Sequence, residues 1–198
     1  MPAHGSEGGR GNRAGALASA IAALLAATTA VAAASDRIAL GRSIAQDLTA
    51  RLKARLMAGL EGGGPESAIA ICKIEAPALA AAASAQHGAR VGRTSLRVRN
   101  PANRPDAWER GVLEDFERRR ARGEAVEALE AHASLAEDGR RVSRYMKAIP
   151  TGELCLACHG ETLAPAVTAK LDALYPEDRA RGFRAGDIRG AVTITWPE

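Results

Sequence analysis

The stretch EDGRRVSRYMKAI, residues 137–149, decides the fold. Its Asp-Gly pair at 138–139 is typical of a tight β-hairpin turn, because both central residues of such a turn adopt positive φ angles. The apolar residues between Val142 and Ile149 predict a strand directly after the turn. We therefore expect antiparallel strands in the second half of the chain.

Helical patterns precede this hairpin. Apolar residues recur at every fourth position from Leu40, which predicts a helix capped at residues 35–36. The Gly-Gly-Gly-Pro run at 62–65 should end it, and a second helix should cover residues 68–86. Proline cannot donate a helical hydrogen bond, so we expect Pro77 to kink or split that second helix.

Further elements surround the hairpin. Alternation of β-branched residues predicts a strand over Ala89 to Val98, and Asp106 is a suitable cap for a helix from Ala107 to Arg122. Residues 164–174 should form a short helix, and residues 188–196 a last strand. Helices followed by antiparallel strands indicate an α+β fold.

Composition narrows the class of protein. The length of 198 residues suits one domain, and hydrophobic residues make up 46% but aromatic residues only 3%. The net charge of +4 comes from interleaved basic and acidic residues, without the basic stripe that nucleic-acid binding needs. Arg118 to Arg120 fit the solvated face of a helix, with docking to an acidic partner as the alternative.

The first 34 residues resemble an export signal. Arg10 and Arg13 precede an uncharged, Ala-rich stretch from Ala14 to Ala34 that ends in small residues. This order is typical of a cleaved signal peptide, although the length also suits a membrane anchor. Either way we expect residues 35–198 to be a periplasmic or secreted domain, attached to a membrane only if the N-terminal segment is retained.

The five residues from Cys155 to His159 read Cys-Leu-Ala-Cys-His. Two thiols one helical turn apart can add to the two vinyl groups of a haem, and the adjacent imidazole then becomes an axial ligand of the iron. The spacing therefore predicts one covalent haem c, attached through Cys155 and Cys158 and ligated by His159.

Three other interpretations of this motif are open. A thioredoxin-like redox pair would be expected beside a βαβ pattern, which the sequence lacks. A structural zinc site would need two further ligands, and His159 is poorly placed to share a metal with Cys158. A plain disulfide leaves His159 without a role.

Cys72 is the cysteine left over, and its role is open. It is either a small buried hydrophobic residue or a second axial ligand opposite the motif histidine. Met57 and Met146 are rivals for that position, since Met is the common partner in electron-carrying cytochromes c. His87, His132 and an open site also remain.

Several blocks of the sequence carry a resemblance to a known family. They are Ala70–Cys72, Glu75–Pro77, Val91–Pro101, Asn103–Glu109, Leu154–Gly160 and Gly186–Ala191. Together they resemble the Tll-type c-haem domain family from about Ser35 to the C-terminus. The Arg-Thr-Ser and Asn-Pro-x-Asn-x-Pro-Asp blocks are more specific than ordinary turn sequences.

The resemblance implies a fold, a ligand set and a function. The fold is a PAS-like antiparallel sheet with flanking helices, preceded by a long N-terminal helix, and the axial ligands are His159 and Cys72. The family's proposed role is redox or small-ligand sensing, with a small gaseous molecule as a possible ligand. Since no output domain follows, a separate redox partner or signalling protein, whose identity is unknown, would receive the signal.

Arg93, Arg97 and Arg99 alternate on the predicted strand and so would share one face. This face is either solvated, or it brings one or more of these arginines, Arg93 and Arg97 first, to the haem propionates, because a guanidinium group matches a carboxylate.

Three function classes are compatible with these residues. The leading one is a sensor, because a thiolate ligand favours ferric iron and loosens on reduction. A periplasmic electron-transfer cytochrome c, with a Met or open sixth position, is the first alternative. An enzyme of peroxidase type ranks last, since it would need an open position with His87 or His132 as acid or base.

Overall fold

The computed structural model describes the backbone of residues 12–198 and the side chains of residues 34–198. Contacts divide the chain into two compact units, Met1–Ala39 and Leu40–Glu198, and the packing described below lies within the second. The helices and strands are α1 Asn12–His87, β1 Arg90–Thr94, α2 Ala107–Ala121, β2 Glu130–Glu137, β3 Arg140–Pro150, α3 Glu153–His159, α4 Pro165–Leu174 and β4 Ile188–Pro197. Two short 3₁₀ helices cover Pro101–Asn103 and Val126–Ala128.

The four strands form one antiparallel sheet in the order β1-β4-β3-β2. The hairpin between β2 and β3 has the positive φ angles that were expected, 49° at Asp138 and 76° at Gly139. The sheet, the long helix α1 and the flanking helices confirm the α+β prediction. Strand β2, for which no bounds were predicted, pairs with β3 from Glu130 to Glu137.

Helix α1 is broken where the glycine run predicted. Gly63 and Gly64 have non-helical backbone angles, with φ of 71° at Gly64, and Pro65 follows. Of the predicted kink or split at Pro77, the split is wrong, because the backbone angles of α1 are non-helical only at Gly63 and Gly64. Pro77 is exposed, so water can bond the carbonyl that loses its helical partner.

The predicted helix start at residues 35–36 is also wrong. Helix α1 begins at Asn12 and continues through Ser35. Ala, which dominates the preceding stretch, has the highest helix propensity, and one serine costs too little to end such a helix. Arg10, part of the predicted export signal, lies outside the described residues.

The two faces of the sheet are covered by different helices. On one face, Met146 and Ala148 of β3 pack with Leu113 and Phe116 of α2 in a buried apolar cluster. On the other face, the fully buried Tyr145 packs against α1 at Gly41, where an added Cβ would lie 2.6 Å from the tyrosine ring. The sheet is thus sandwiched between α2 and the part of α1 that belongs to the second unit.

An ion-pair network ties α2 to the sheet. The Arg144 side chain, only 3% exposed, pairs with Asp106 at 2.6 Å, Glu137 at 2.9 Å and Glu109 at 3.2 Å. Asp106 also caps α2, as predicted, by accepting from the backbone N–H of Glu109, whose side chain accepts from Asp106 in return. The Arg144 ion pairs thus join this capping box at the start of α2 to the centre of β3.

Strand β1 ends four residues earlier than predicted, at Thr94. The Ser95 hydroxyl accepts from the Arg97 N–H and donates to the Arg189 carbonyl, and these bonds turn the chain out of the sheet. Arg97 and Arg99 therefore lie outside the strand that carries Arg93. The prediction that these three arginines share one face of a strand is therefore wrong.

Candidate functional site

The Cys-x-x-Cys-His motif forms the short helix α3. Cys155 and Cys158 lie one turn apart in it, both partly buried and neither in a disulfide. The helix ends at His159, where Gly160 adopts an extended conformation. A Cβ on Gly160 would lie 2.6 Å from the Leu156 carbonyl oxygen, so the close approach requires glycine.

The end of α3 docks on the loop between α4 and β4. The His159 and Gly160 carbonyls accept hydrogen bonds from the N–H groups of Phe183 and Gly182, each at 2.9 Å. Phe183 is 2% exposed, and its ring meets the His159 imidazole edge-to-face with 6.1 Å between centroids. The loop therefore holds His159 by both backbone and ring contacts.

The two ring nitrogens of His159 have different environments. Nδ1 lies 2.7 Å from the Ala180 carbonyl oxygen, which can only accept, so Nδ1 carries the proton. Nε2 accepts from Nε of Arg189 at 3.3 Å. Burial lowers the pKa of His159 well below its usual range, and the charges of Arg189 and Arg99 lower it further. The imidazole is thus neutral with its lone pair on Nε2, the form that ligates metals.

Cys72 reaches this site from α1. Ile69, one turn before it, forms a buried apolar cluster with Val167 and Leu171 of α4, and Cys158 packs against that cluster. The neighbouring Lys73 donates to the Leu174 carbonyl at 2.8 Å. The segment of α1 after the glycine break therefore lies against α4 and brings Cys72 towards the motif helix.

The electrostatics of the thiols agree with this proximity. Burial raises the pKa of the Cys158 thiol, the Arg99 charge opposes this, and the charges of Cys72 and Cys155 add to it. Burial also raises the pKa of the Cys72 thiol, against the charges of Arg93 and Arg99. Cys72 and the motif cysteines thus share one environment.

Residues 12–197 match the family model Tll0287-like. The chain belongs to the Tll0287-like family. It is also similar to a solved structure, the crystal structure of the cyanobacterial heme-protein Tll0287, with 29% identity and a TM-score of 0.53 over 65% of this chain and 72% of that one. No curated protein matches. The family resemblance expected from the sequence is confirmed.

In this Tll0287-like chain the two predicted arginines have different surroundings. Arg93 lies beside Cys72 and Tyr175, and burial lowers its pKa against their charges. Among residues 34–198 no carboxylate forms an ion pair with it. The Arg97 guanidinium lies 3.5 Å from the centroid of the Phe183 ring, donates to loop carbonyls, and faces Asp187 at 3.9 Å.

The alternative ligands are placed elsewhere in the fold. Met146 is buried in the α2 cluster, and Met57 on α1 is 37% exposed. His132 bonds the Ser143 hydroxyl at 3.0 Å on the β2–β3 ladder, and His87 is the last residue of α1. By contrast, Cys72 belongs to the same environment as Cys158.

Sequence reasoning missed two residues near His159, Arg189 and Asp178, and it placed a third, Arg99, wrongly. Arg189, from the start of β4, contacts Nε2, while Arg99 and Asp178 support the loop that carries the Ala180 carbonyl. Arg189 stood only within a block of the family resemblance, and Arg99 was expected on a strand face rather than beside His159. Asp178 gave no signal in the sequence, because its link to the site runs through Arg99, which is distant in the chain.

Proposed function

We propose that this chain is an exported c-type protein with one haem that acts as a redox or small-ligand sensor. Haem is attached through Cys155 and Cys158, with His159 and Cys72 as axial ligands. The observation that carries the proposal is the packing of Ile69, one turn before Cys72, in the apolar cluster that Cys158 also contacts, which brings two segments distant in sequence to one region. The relative Tll0287 is a heme-protein, which supports the cofactor class.

The donor set of the site fits a haem. The motif thiols lie one turn apart on α3, and the neighbouring imidazole is neutral with a lone pair on Nε2. Haem supplies an iron that changes oxidation state and binds small ligands. The protein's part is to hold the ring nitrogen and the opposite thiol at fixed positions.

Basic groups around the site fit the carboxylates of a haem. Arg93 lies among Cys72 and Tyr175 without an acidic partner in the described part of the chain. Arg97 is engaged by Phe183 and by the carbonyls of Arg181 and Gly182. We therefore assign propionate binding to Arg93 first, and to Arg97 only if it leaves these contacts.

A sensing role follows from the nature of the second ligand. A thiolate favours ferric iron, and its bond to iron weakens on reduction or protonation. Since Cys72 lies in a partly buried environment that raises the pKa of its thiol, released sulfur would stay protonated. Coordination that changes with redox state suits a switch better than an electron carrier, and the output would pass to a separate redox or signalling partner.

The proposal places the domain outside the cytoplasm. Residues 1–34 act as signal peptide or anchor, and residues 35–198 form the haem domain. The N-terminal apolar helix is compatible with export. Within the described residues one helix, Ala34–His87, is long and apolar enough to cross a membrane, as signal sequences and the core helices of soluble proteins also are.

The deciding experiment is spectroscopy of the full-length protein expressed with a cytochrome c maturation system. Wild type, Cys72→Ala and Met57→Leu are compared by absorption and EPR in the ferric state and after dithionite. Covalent haem is measured by acid-acetone extraction, with Cys155→Ala/Cys158→Ala as the negative control.

We expect covalent haem in all proteins except the double variant. Low-spin thiolate features should appear in wild type and Met57→Leu and be lost in Cys72→Ala. Haem that resists extraction in the double variant would overturn the attachment. Unchanged spectra in Cys72→Ala would overturn the axial thiolate and favour an electron-transfer cytochrome c.

A further inference from the structure

A buried carboxylate lies just behind the histidine of the site. The Asp178 side chain is 1% exposed and accepts from Nε of Arg99 at 3.1 Å, Nε of Arg181 at 3.0 Å and the Ala180 N–H at 2.9 Å. No role in the proposed haem attachment uses this group. Its three donors belong to the segment after β1 and to the loop between α4 and β4.

Arg99 connects this carboxylate to both sides of the histidine. Its Nη2 donates to the Cys158 carbonyl at 2.5 Å and reaches the Ala180 carbonyl at 3.3 Å. The first carbonyl belongs to the residue before His159, and the second accepts the proton of its Nδ1. One guanidinium thus joins the end of the motif helix to the acceptor of the ring.

The contacts of Asp178 and Arg99 restrict the orientation of the His159 imidazole. Nε of Arg99 is held by the buried carboxylate, while its Nη2 donates to the Cys158 and Ala180 carbonyls. The Ala180 carbonyl therefore has little freedom to move. A fixed acceptor at Nδ1 sets the tautomer and the ring plane, and therefore the direction in which the Nε2 lone pair points. An outer hydrogen bond of this kind also sets how strongly the ring donates to a metal.

We propose that Asp178 and Arg99 are positioning residues that hold His159 as the Nδ1–H tautomer, with the ring lone pair on Nε2. The expected effect on the strength of the iron–histidine bond rests on the proposed haem function. The effect on the orientation of the His159 ring can be tested without haem.

The test uses three variants of the full-length chain. Asp178→Asn removes the charge with nearly the same shape, and Arg99→Lys keeps the charge but removes the planar fork. Glu177→Gln is the matched control, because this neighbouring carboxylate is 61% exposed and pairs only at the surface with Arg104. Arg99→Lys leaves Asp178 a cationic partner, so it is informative if Asp178→Asn fails to fold.

The first readout is ¹⁵N–¹H correlation NMR of histidine rings in haem-free protein, with His159 assigned by comparison with His159→Gln. Wild type and Glu177→Gln should show a single Nδ1–H tautomer. In Asp178→Asn and Arg99→Lys the signals should shift towards the average of two tautomers. Folded variants that keep the wild-type pattern would overturn the proposal.

The second readout is resonance Raman of ferrous, haem-loaded protein in a Cys72→Ala background. Loss of the fixed acceptor at Nδ1 weakens electron donation by the histidine. The iron–histidine stretch should therefore move to lower frequency in Asp178→Asn and Arg99→Lys and stay unchanged in Glu177→Gln. An unchanged frequency would overturn the consequence for the iron. Absence of covalent haem in wild type would instead count against the proposed function, and the NMR result would stand.

Discussion

Nε of Arg189 lies 3.3 Å from Nε2 of His159, the ring nitrogen proposed to bind iron. Burial, together with the charges of Arg99 and Arg93, lowers the pKa of Arg189 to about 9, so the group is still charged at neutral pH. No carboxylate among residues 34–198 forms an ion pair with Arg189. An iron held by Nε2 would take the place of this hydrogen bond, beside the charge of Arg189.

Replacing Arg189 should lower the reduction potential. A nearby cation disfavours the more positive ferric state, and its effect is strong where water is excluded. We expect Arg189→Leu to shift the potential down by tens of millivolts in a spectroelectrochemical titration. Arg184→Leu is the control, because this arginine is 74% exposed and its charge is screened by solvent. Equal shifts in both variants would contradict the assigned position of Arg189.

Replacing Met146 should leave the haem spectrum unchanged. Met146 is fully buried in the α2 cluster, away from the cluster that Cys158 contacts. Met146→Leu conserves volume, so the free energy of unfolding should change by less than about 1.5 kcal/mol. Absorption and EPR spectra check the first expectation and urea unfolding the second. A spectral change in this variant comparable to that of Cys72→Ala would support the Met-ligated alternative.

Protonation of the Asp106 carboxylate should make the protein less stable in acid. Burial alone would raise the pKa of Asp106, but the bonds from Arg144 and from the Glu109 N–H bring it below its ordinary value. A depressed pKa contributes stability above the unfolded value of about 3.9, and this contribution is lost as pH falls through the folded pKa. Urea unfolding of wild type should therefore show a declining free energy below about pH 4.

Asp106→Asn isolates this effect, since Asn caps helices as well as Asp but does not titrate. The variant should be less stable than wild type at neutral pH and show a shallower decline in acid. Asp115→Asn, whose side chain is 45% exposed in a surface pair, serves as the control. A decline in Asp106→Asn as steep as that of wild type would exclude Asp106 as its source.

Two glycine substitutions in helices should have opposite effects on stability. A Cβ at Gly41 would lie 2.6 Å from the buried Tyr145 ring, whereas nothing lies within 4 Å of one at Gly111 in α2. Gly41→Ala should destabilise the protein by about 1–3 kcal/mol through overpacking. Gly111→Ala should stabilise it by roughly 0.5–1 kcal/mol through helix propensity. Thermal and urea unfolding measure both, and a neutral Gly41→Ala would contradict the packing of α1 on β3.

Much of the fold was readable from local sequence. The Asp-Gly turn, the Asp106 cap and the glycine break in α1 each depend on the conformational preferences of adjacent residues, and all three were predicted. The end of β1 was not, because the Ser95 hydroxyl leaves the sheet to bond a carbonyl of β4. That competition between local and distant hydrogen bonds has no signature in a single segment.

The sequence by itself determined the candidate chemistry: two thiols one turn apart, an adjacent imidazole, a leftover cysteine, and the family to which these belong. Tertiary structure alone decided which groups surround them. The segment that carries Cys72 lies in the region of Cys158 because Ile69 packs on α4, and Arg189 faces His159 because β4 passes beside the end of α3. The short spacing of the motif is a property of one helix, whereas the basic environment of His159 arises from segments that only apolar packing and long-range hydrogen bonds bring together.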